Sequence, residues 1–328
     1  MAKQAVLLLA HGTPEAVDQI PEYLRNVVSG RPLPEHVIEE IKHRYSLIGS
    51  SPLTEITLEQ GRMVEAELTM EGVDAQVYVG MRNWKPYIPD VVRKMRADGV
   101  EEAAVICLAP QNSRTSVGLY KRSVQAEAGS LKIDFTESWA REPLLADAFA
   151  ERLRAAEGLL VSELGAPVPV LFTAHSVPTR TVQPTEEQSR GPRTWPGEGA
   201  DPYAHDARAT AGLVATRVPE IPKWWFAFQS QGASGGPWIG PTVEETLTSI
   251  AAEGVKTMLL QPIGFLCDHV EILYDIDIAF KECASSLGIR LERPESLNAS
   301  LTLARAIAGL AMRGLGRLKE GDTPNRLK

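Results

Sequence analysis

Histidines and carboxylates standing where short apolar runs end are the residues of this chain whose types and spacing suit chemistry. The segment Gln261 to Asp277, QPIGFLCDHVEILYDID, passes from an apolar run into Asp268, His269, Glu271 and Asp275. If a helix follows the run, Asp268, Glu271 and Asp275 recur at spacings of three and four and share one face, with His269 beside them. Such a face can bind or conduct a cation. The same carboxylates also fit the first turn of any helix, at the positive end of its dipole, with Asp268 as N-cap; taken alone, the spacing leaves both readings open. His11 and His175 likewise follow apolar runs, in LLAHGTP and FTAHSVP. An imidazole with a pKa near neutrality can take a proton or ligate a metal, and a nearby carboxylate can do the same or orient the ring. The loop Gln231 to Pro241, QGASGGPWIGP, has neither the GxGxxG nor the GxxxxGKS order, so phosphate cradling is its weaker reading. Trp238 within it offers a flat apolar wall to a planar ligand or to another part of the fold.

These groups need elements to hold them. The sequence predicts eight short strands, Ala5 to Ala10, Gln76 to Gly80, Ala103 to Leu108 and Lys132 to Thr136 in the first half, then Val168 to Thr173, Lys223 to Phe228, Thr257 to Ile263 and Ile289 to Glu292. Amphipathic stretches fill the intervals, among them Pro34 to Ser46, Glu55 to Thr69, Ile88 to Ala97, Leu144 to Leu164, Val243 to Ala252 and Val270 to Ser286. Alternation of this kind is the pattern of βαβ units and parallel sheets, an α/β fold in two halves of similar architecture. A boundary near residues 157–167, within or just after a long helix, gives domains 1–157 and 158–328, the second ending in sequence with a C-terminal helix, roughly Ser300 to Leu318, that can pack on either half. Open parallel sheets bind ligands at the carboxyl ends of their strands, and here those ends are polar. They read His11-Gly12-Thr13, Arg82-Asn83-Trp84, Gln111-Asn112-Ser113, His175-Ser176, Gln229-Ser230-Gln231 and Asp268-His269-Val270-Glu271.

Composition excludes several classes. With 328 residues, 44% hydrophobic and 23% charged, the chain is a globular protein of two ordinary domains. A net charge of −8 argues against broad nucleic-acid binding, which needs a basic surface. Cys107, Cys267 and Cys283 lie in no metal-binding spacing and are read as unpaired thiols in a reducing compartment. The apolar stretch of MAKQAVLLLAHGTP is too short for a signal peptide or membrane span, and the expected location is cytoplasmic, with at most peripheral membrane contact.

Several blocks together carry a resemblance to the ferrochelatase family. TAHSVP at Thr173 to Pro178, QSQGASGGPWIGP at Gln229 to Pro241 and PIGFLCDHVEILYDID at Pro262 to Asp277 are similar to its signature blocks, in the same order and at similar spacing. LLAHGTP, RYSLIGSSPL at Arg44 to Leu53, LAPQNSRTSVGLYKRS at Leu108 to Ser123 and ESWAREP at Glu137 to Pro143 extend the likeness over nearly the whole chain. Within the family the coproporphyrin-type enzymes are the nearest in their N-terminal blocks. The resemblance implies two Rossmann-like, chelatase-type domains, each a four-stranded parallel sheet flanked by helices. It implies a lyase of haem and porphyrin biosynthesis that inserts ferrous iron into a porphyrin, with coproporphyrin III giving coprohaem III as the expected reaction. Protoporphyrin IX as substrate, or a non-catalytic haem- or porphyrin-binding role, is the alternative; a chelatase for another tetrapyrrole is a further rival.

By the same resemblance the catalytic residues are His175 and Glu271, which also contact the metal. Substrate-binding positions fall on His11, Arg44, Tyr45, Ser51 and Trp238. Iron is a substrate, no cofactor is required and no iron–sulfur cluster is expected; partners are porphyrin and ferrous iron, and a monomer is the working expectation. The chain departs from its relatives in four places. His11 stands where coproporphyrin-type members commonly carry tyrosine, and is expected to be able to ligate product haem. Ala279 interrupts the acidic row, leaving Glu282 as the next carboxylate. An arginine used by close relatives falls on Val28, with Arg25 and Arg31 nearby. The stretch 179–202 is longer than usual, and either overhangs the site as a lid using Trp195 or is a solvated excursion.

Overall fold

A computed structural model describes residues 2–182, 201–232 and 236–320. The chain divides into two units. The first comprises Met1–Pro110, Thr115–Trp139 and Asn298–Lys328; the second comprises Gln111–Arg114 and Ala140–Leu297.

In the first unit, β1 (Gln4–Ala10), β2 (Gln76–Met81), β3 (Glu102–Cys107) and β4 (Lys132–Thr136) form a parallel sheet in the order β2-β1-β3-β4. Leu7, Leu8 and Leu9 are all fully buried, as expected of a central strand covered on both faces. Each such side chain contributes about 1.5–3 kcal/mol relative to exposure. One face of the sheet packs Leu7 and Leu9 with Ile88, Val92, Met95, Tyr120 and Val124, which come from the helices Ile88–Ala97 and Val117–Ala128.

The second unit repeats the plan with β5 (Val170–His175), β6 (Trp224–Gln229), β7 (Thr257–Pro262) and β8 (Arg290–Glu292), ordered β6-β5-β7-β8 and all parallel. Leu171, Leu260, Leu247, Ile250, Ile272, Ile276 and Phe280 form its core. Two four-stranded parallel sheets flanked by helices are the fold that the sequence predicts, with strand limits moved by at most two residues. One shift matters: β5 runs on to His175, whose ladder partner is Gln229, so His175 closes the strand rather than following it.

Three expectations are corrected. The boundary near residue 157 falls inside the helix Pro143–Leu164, which belongs wholly to the second unit. The C-terminal helix Leu301–Glu320 belongs to the first unit, where Arg317 Nε and Nη2 donate to Asp134 on β4 at 2.8 and 2.6 Å. The predicted single helix Val270 to Ser286 is instead an α-turn, Val270–Leu273, a π-helix, Asp275–Phe280, and an α-helix, Lys281–Ser286. Its apolar positions explain the break. Ile272, Ile276, Phe280 and Ala284 all enter the core and recur every four residues. Each such step overshoots an α-helical turn by about 40°. A wider turn, in which Ala279 N–H reaches the Tyr274 carbonyl at 3.0 Å, absorbs the drift.

Candidate functional site

The second unit brings His175 and Glu271 together. His175 Nε2 lies 3.3 Å from Glu271 Oε1, with about a third of each side chain accessible. His175 Nδ1 faces the Ser176 carbonyl oxygen, which can only accept, so Nδ1 carries a proton and Nε2 is the nitrogen that gains or loses one. The strand end is fixed from behind, since the buried Tyr203 hydroxyl donates to the His175 carbonyl at 2.8 Å. Burial alone would strip the imidazole of its proton, but the adjacent Glu271 charge and hydrogen bond outweigh it and raise the His175 pKa. For Glu271, burial favours the neutral acid. His175 and then His269 override that and hold its carboxyl well below the usual range. Each group thus favours the charged form of the other, a protonated imidazole beside an ionised carboxylate.

His269 is the second imidazole on Glu271, its Nε2 3.6 Å from Oε2. It is buried, and its Nδ1 donates to the Cys267 carbonyl at 3.1 Å, so its proton position is fixed in the same way. The sequence set His269 beside the acidic row without giving it a role. Phe265, not singled out at all, packs on both rings, with centroids 4.5 Å from His269 and 6.3 Å from His175. Trp238 stands 6.3 Å from His175. It is held there because the 237–239 stretch pairs with 177–179, Thr179 N–H donating to Pro237 O at 2.9 Å and Ile239 N–H to Val177 O at 3.0 Å. Trp238 thus supplies a flat aromatic wall beside the imidazole.

The acidic row does not form one face. Asp268 is no N-cap: the residue at the helix start is His269, and Asp268 accepts from Ser296 Oγ at 2.6 Å and pairs with Arg293 Nη1 at 3.3 Å. Asp275 is buried and accepts from Ser230 Oγ. Asp277 takes both remaining Arg293 donors, at 2.9 and 2.7 Å. The π-helix ends the three-and-four spacing on which the shared face depended, and Glu282 is exposed beyond it. Among the described residues no group of three or more His, Cys, Asp or Glu side chains is arranged to hold a metal ion.

In the first unit His11 follows β1. Its Nε2 is 2.9 Å from the Tyr23 hydroxyl, and Asn83 Nδ2 lies 3.1–3.2 Å from the ring nitrogens. Gly12 permits this turn: at φ +76°, a Cβ there would stand 2.8 Å from Met81 Cβ. Thr13 then donates to Ser51 at 2.8 Å, which ties the loop before Leu53–Met70 to the strand end. Ser51 and Tyr45 are buried, at 3% and 1% exposure, whereas Arg44, the third substrate-binding position expected in this stretch, keeps part of its side chain accessible and pairs with Glu40. Arg31 Nε bonds back to the Val28 carbonyl at 3.0 Å. Of the stretch 179–202, Thr179–Val182 forms one helical turn. Trp195 and the rest of 183–200 lie outside the described residues.

Residues 3–315 match the ferrochelatase family model. A protein from Acidobacterium capsulatum named ferrochelatase is 58% identical over 323 residues, 98% of each chain. A Geobacillus protein named coproporphyrin III ferrochelatase is 31% identical over 318 residues, 95% of this chain and 97% of that one. Among solved structures, the sirohydrochlorin chelatase SirB from Bacillus subtilis subspecies spizizenii, in complex with cobalt, matches with a TM-score of 0.57 at 12% identity, covering 98% of both chains. At that identity the likeness is one of fold.

Proposed function

Since the chain belongs to the ferrochelatase family, whose members insert a metal ion into a porphyrin, we propose that its metal is ferrous iron, its porphyrin coproporphyrin III and its catalytic pair His175 and Glu271. The observation that carries this reading is the 3.3 Å contact between His175 Nε2 and Glu271 Oε1 beside the Trp238 wall. Insertion replaces two pyrrole N–H bonds with bonds to iron and releases two protons, with no change in oxidation state. The porphyrin's protons must therefore go to fixed acceptors. The resting imidazolium cannot accept one. A dication arriving beside Glu271 competes for its carboxylate and repels the imidazolium, and both effects lower the affinity of His175 for its proton. Neutral Nε2 then takes a pyrrole proton and Glu271 completes the removal. Both residues also serve as transient iron contacts, two donors being too few for a resident site. We infer that no cofactor takes part and that no iron–sulfur cluster is bound.

The choice of coproporphyrin III rests on the relatives of that name that align along nearly the whole chain and on the N-terminal blocks. Within the first unit, His11 and Arg44 are the inferred porphyrin contacts, Arg44 for a propionate and His11 as a ligand to product haem. No helix among the described residues is long and apolar enough to cross a membrane. The enzyme is proposed to work in the cytoplasm, as a monomer.

Three measurements test these points. His175→Ala should abolish insertion while porphyrin binding, followed by fluorescence, stays measurable; retained turnover removes His175 from the chemistry. Parallel steady-state assays should give a higher kcat/KM for coproporphyrin III than for protoporphyrin IX, and the reverse order replaces the proposed substrate. The haem product of His11→Ala should differ in its absorption spectrum from that of the parent, and an unchanged spectrum excludes His11 as ligand.

A further inference from the structure

We infer that Gln229, buried at the end of β6, is a positioning residue that sets the spacing of His175 and Glu271; this rests on the reading of that pair as catalytic. Gln229 is 1% exposed and is the ladder partner of His175. Its polar atoms reach both members of the pair. On the His175 side, its backbone carbonyl accepts from Ser176 N–H at 2.6 Å, and its Oε1 accepts from the Thr173 hydroxyl at 2.6 Å. It therefore grips the strand on either side of His175. On the other side, its Nε2 donates to the main-chain carbonyl of Glu271 at 3.1 Å.

The amide's orientation follows from its partners. The Glu271 carbonyl can only accept, so the amide nitrogen must face it; the oxygen then faces Thr173, whose hydroxyl supplies the proton. Nε2 also lies 3.4 Å from Ser230 Oγ, the hydroxyl that donates to Asp275. Glu271 sits in the first helical turn, Val270–Leu273, where the main-chain carbonyl of Glu271 points toward the Gln229 amide. Gln229 joins that turn directly to the strand of His175. Without its side chain, the fully buried Thr173 hydroxyl and the Glu271 carbonyl lose a shared partner, and the carboxylate is free to drift from the imidazole. A misplacement of about 1 Å at reacting groups can cost on the order of 10²-fold in rate.

The test measures the whole chain by steady-state kinetics well below each variant's thermal midpoint. Gln229→Met, similar in shape but without the amide, should lower kcat about tenfold or more and leave the porphyrin KM within about twofold. Thr173→Val, which removes only the hydroxyl, should lower kcat in the same direction by less. On a Glu271→Gln background, Gln229→Met should add less than about twofold, because the group it positions has gone. A folded Gln229→Met with kcat within about twofold of the parent overturns the inference, as does a full multiplicative loss on the Glu271→Gln background. Should Gln229→Met fail to fold, an unchanged kcat in Thr173→Val overturns it equally. Turnover retained by His175→Ala would instead sink the catalytic pair, so the two failures are distinguishable.

Discussion

Opposite charges on His175 and Glu271 in the resting protein fix the sign of the enzyme's pH dependence. On the proposed mechanism insertion needs neutral Nε2, so kcat should rise with pH through the raised His175 pKa. Glu271→Gln removes the largest of the interactions that raise it, leaving burial, which lowers it, opposed only by the Ser176 carbonyl and the Asp275 charge. The acidic limb of the kcat profile should then move to lower pH, while the plateau falls by about tenfold or more with the loss of the second acceptor. A limb that stays in place would mean that another group titrates. Stability follows the same pair with opposite edges. The His175 contribution is complete below its unfolded pKa, near ~6.5, and is lost as pH rises through the raised folded value. The Glu271 contribution is present above its unfolded pKa, near ~4.3, and is lost as pH falls through the lowered folded value. The two overlap between the lowered carboxyl and the raised imidazole pKa, and denaturant midpoints of Glu271→Gln and the parent should converge outside that window. That His175 and Glu271 lie together was legible in the sequence, because each stands at the polar end of an apolar run inside a recognisable block. His269 and Phe265 lie in the same block, but nothing in their spacing tells that one buried ring supports the carboxylate and the other packs between the imidazoles.

One guanidinium ties together the two ends of the stretch 268–277. Arg293 binds Asp268 just before the α-turn and Asp277 within the π-helix, and Ser296 bridges its Nη1 and the Asp268 carboxylate. All three charged groups are largely buried, with side-chain exposures of 11% for Arg293, 18% for Asp268 and 27% for Asp277. Arg293→Gln should therefore destabilise the protein by about 1–3 kcal/mol, since two carboxylates lose their counter-charge. Arg293→Lys should recover only part of this, because an ammonium has no planar fork to engage Asp277 bidentately while holding Asp268. Denaturant midpoints for the two variants check the order; a lysine variant equal to the parent would show that charge alone suffices. This brace explains why the sequence misassigned Asp268. An N-cap is a local property that spacing can suggest, whereas its partner Arg293 lies beyond the next helix and strand. The π-helix escaped for a related reason: positions spaced by four look α-helical over any two turns, and the accumulated drift shows only when all four buried side chains are known. Strands and regular helices were legible because continuous apolar runs and amphipathic periods are local patterns that burial enforces.

At the scale of the whole chain, the least legible feature was the destination of the last helix. Leu301–Glu320 follows the strands of the second unit in sequence but completes the first unit, 165 residues after the end of β4 at Thr136. An amphipathic face says that a helix packs, not against which sheet. The choice is made by close fit and by one ion pair. Gly314 lies so near the first sheet that a Cβ would stand 3.0 Å from both Ala104 Cβ on β3 and Asp134 Oδ1 on β4. Asp134, 4% exposed in its side chain, is held by Arg317 from the following turn of the helix. Arg317→Ala leaves that carboxylate buried without its guanidinium, and should cost about 1–3 kcal/mol. Gly314→Leu forces the helix away from the sheet and should cost as much or more. Because each unit has its own core, the loss belongs to the first unit, and a single melting midpoint for the chain would blur it. Amide hydrogen exchange separates the two. In either variant the amides of β1, β3 and β4 should lose protection while those of β5, β6 and β7 keep theirs. Equal loss in both sheets would show that the C-terminal helix stabilises the chain as one cooperative body rather than completing the first unit.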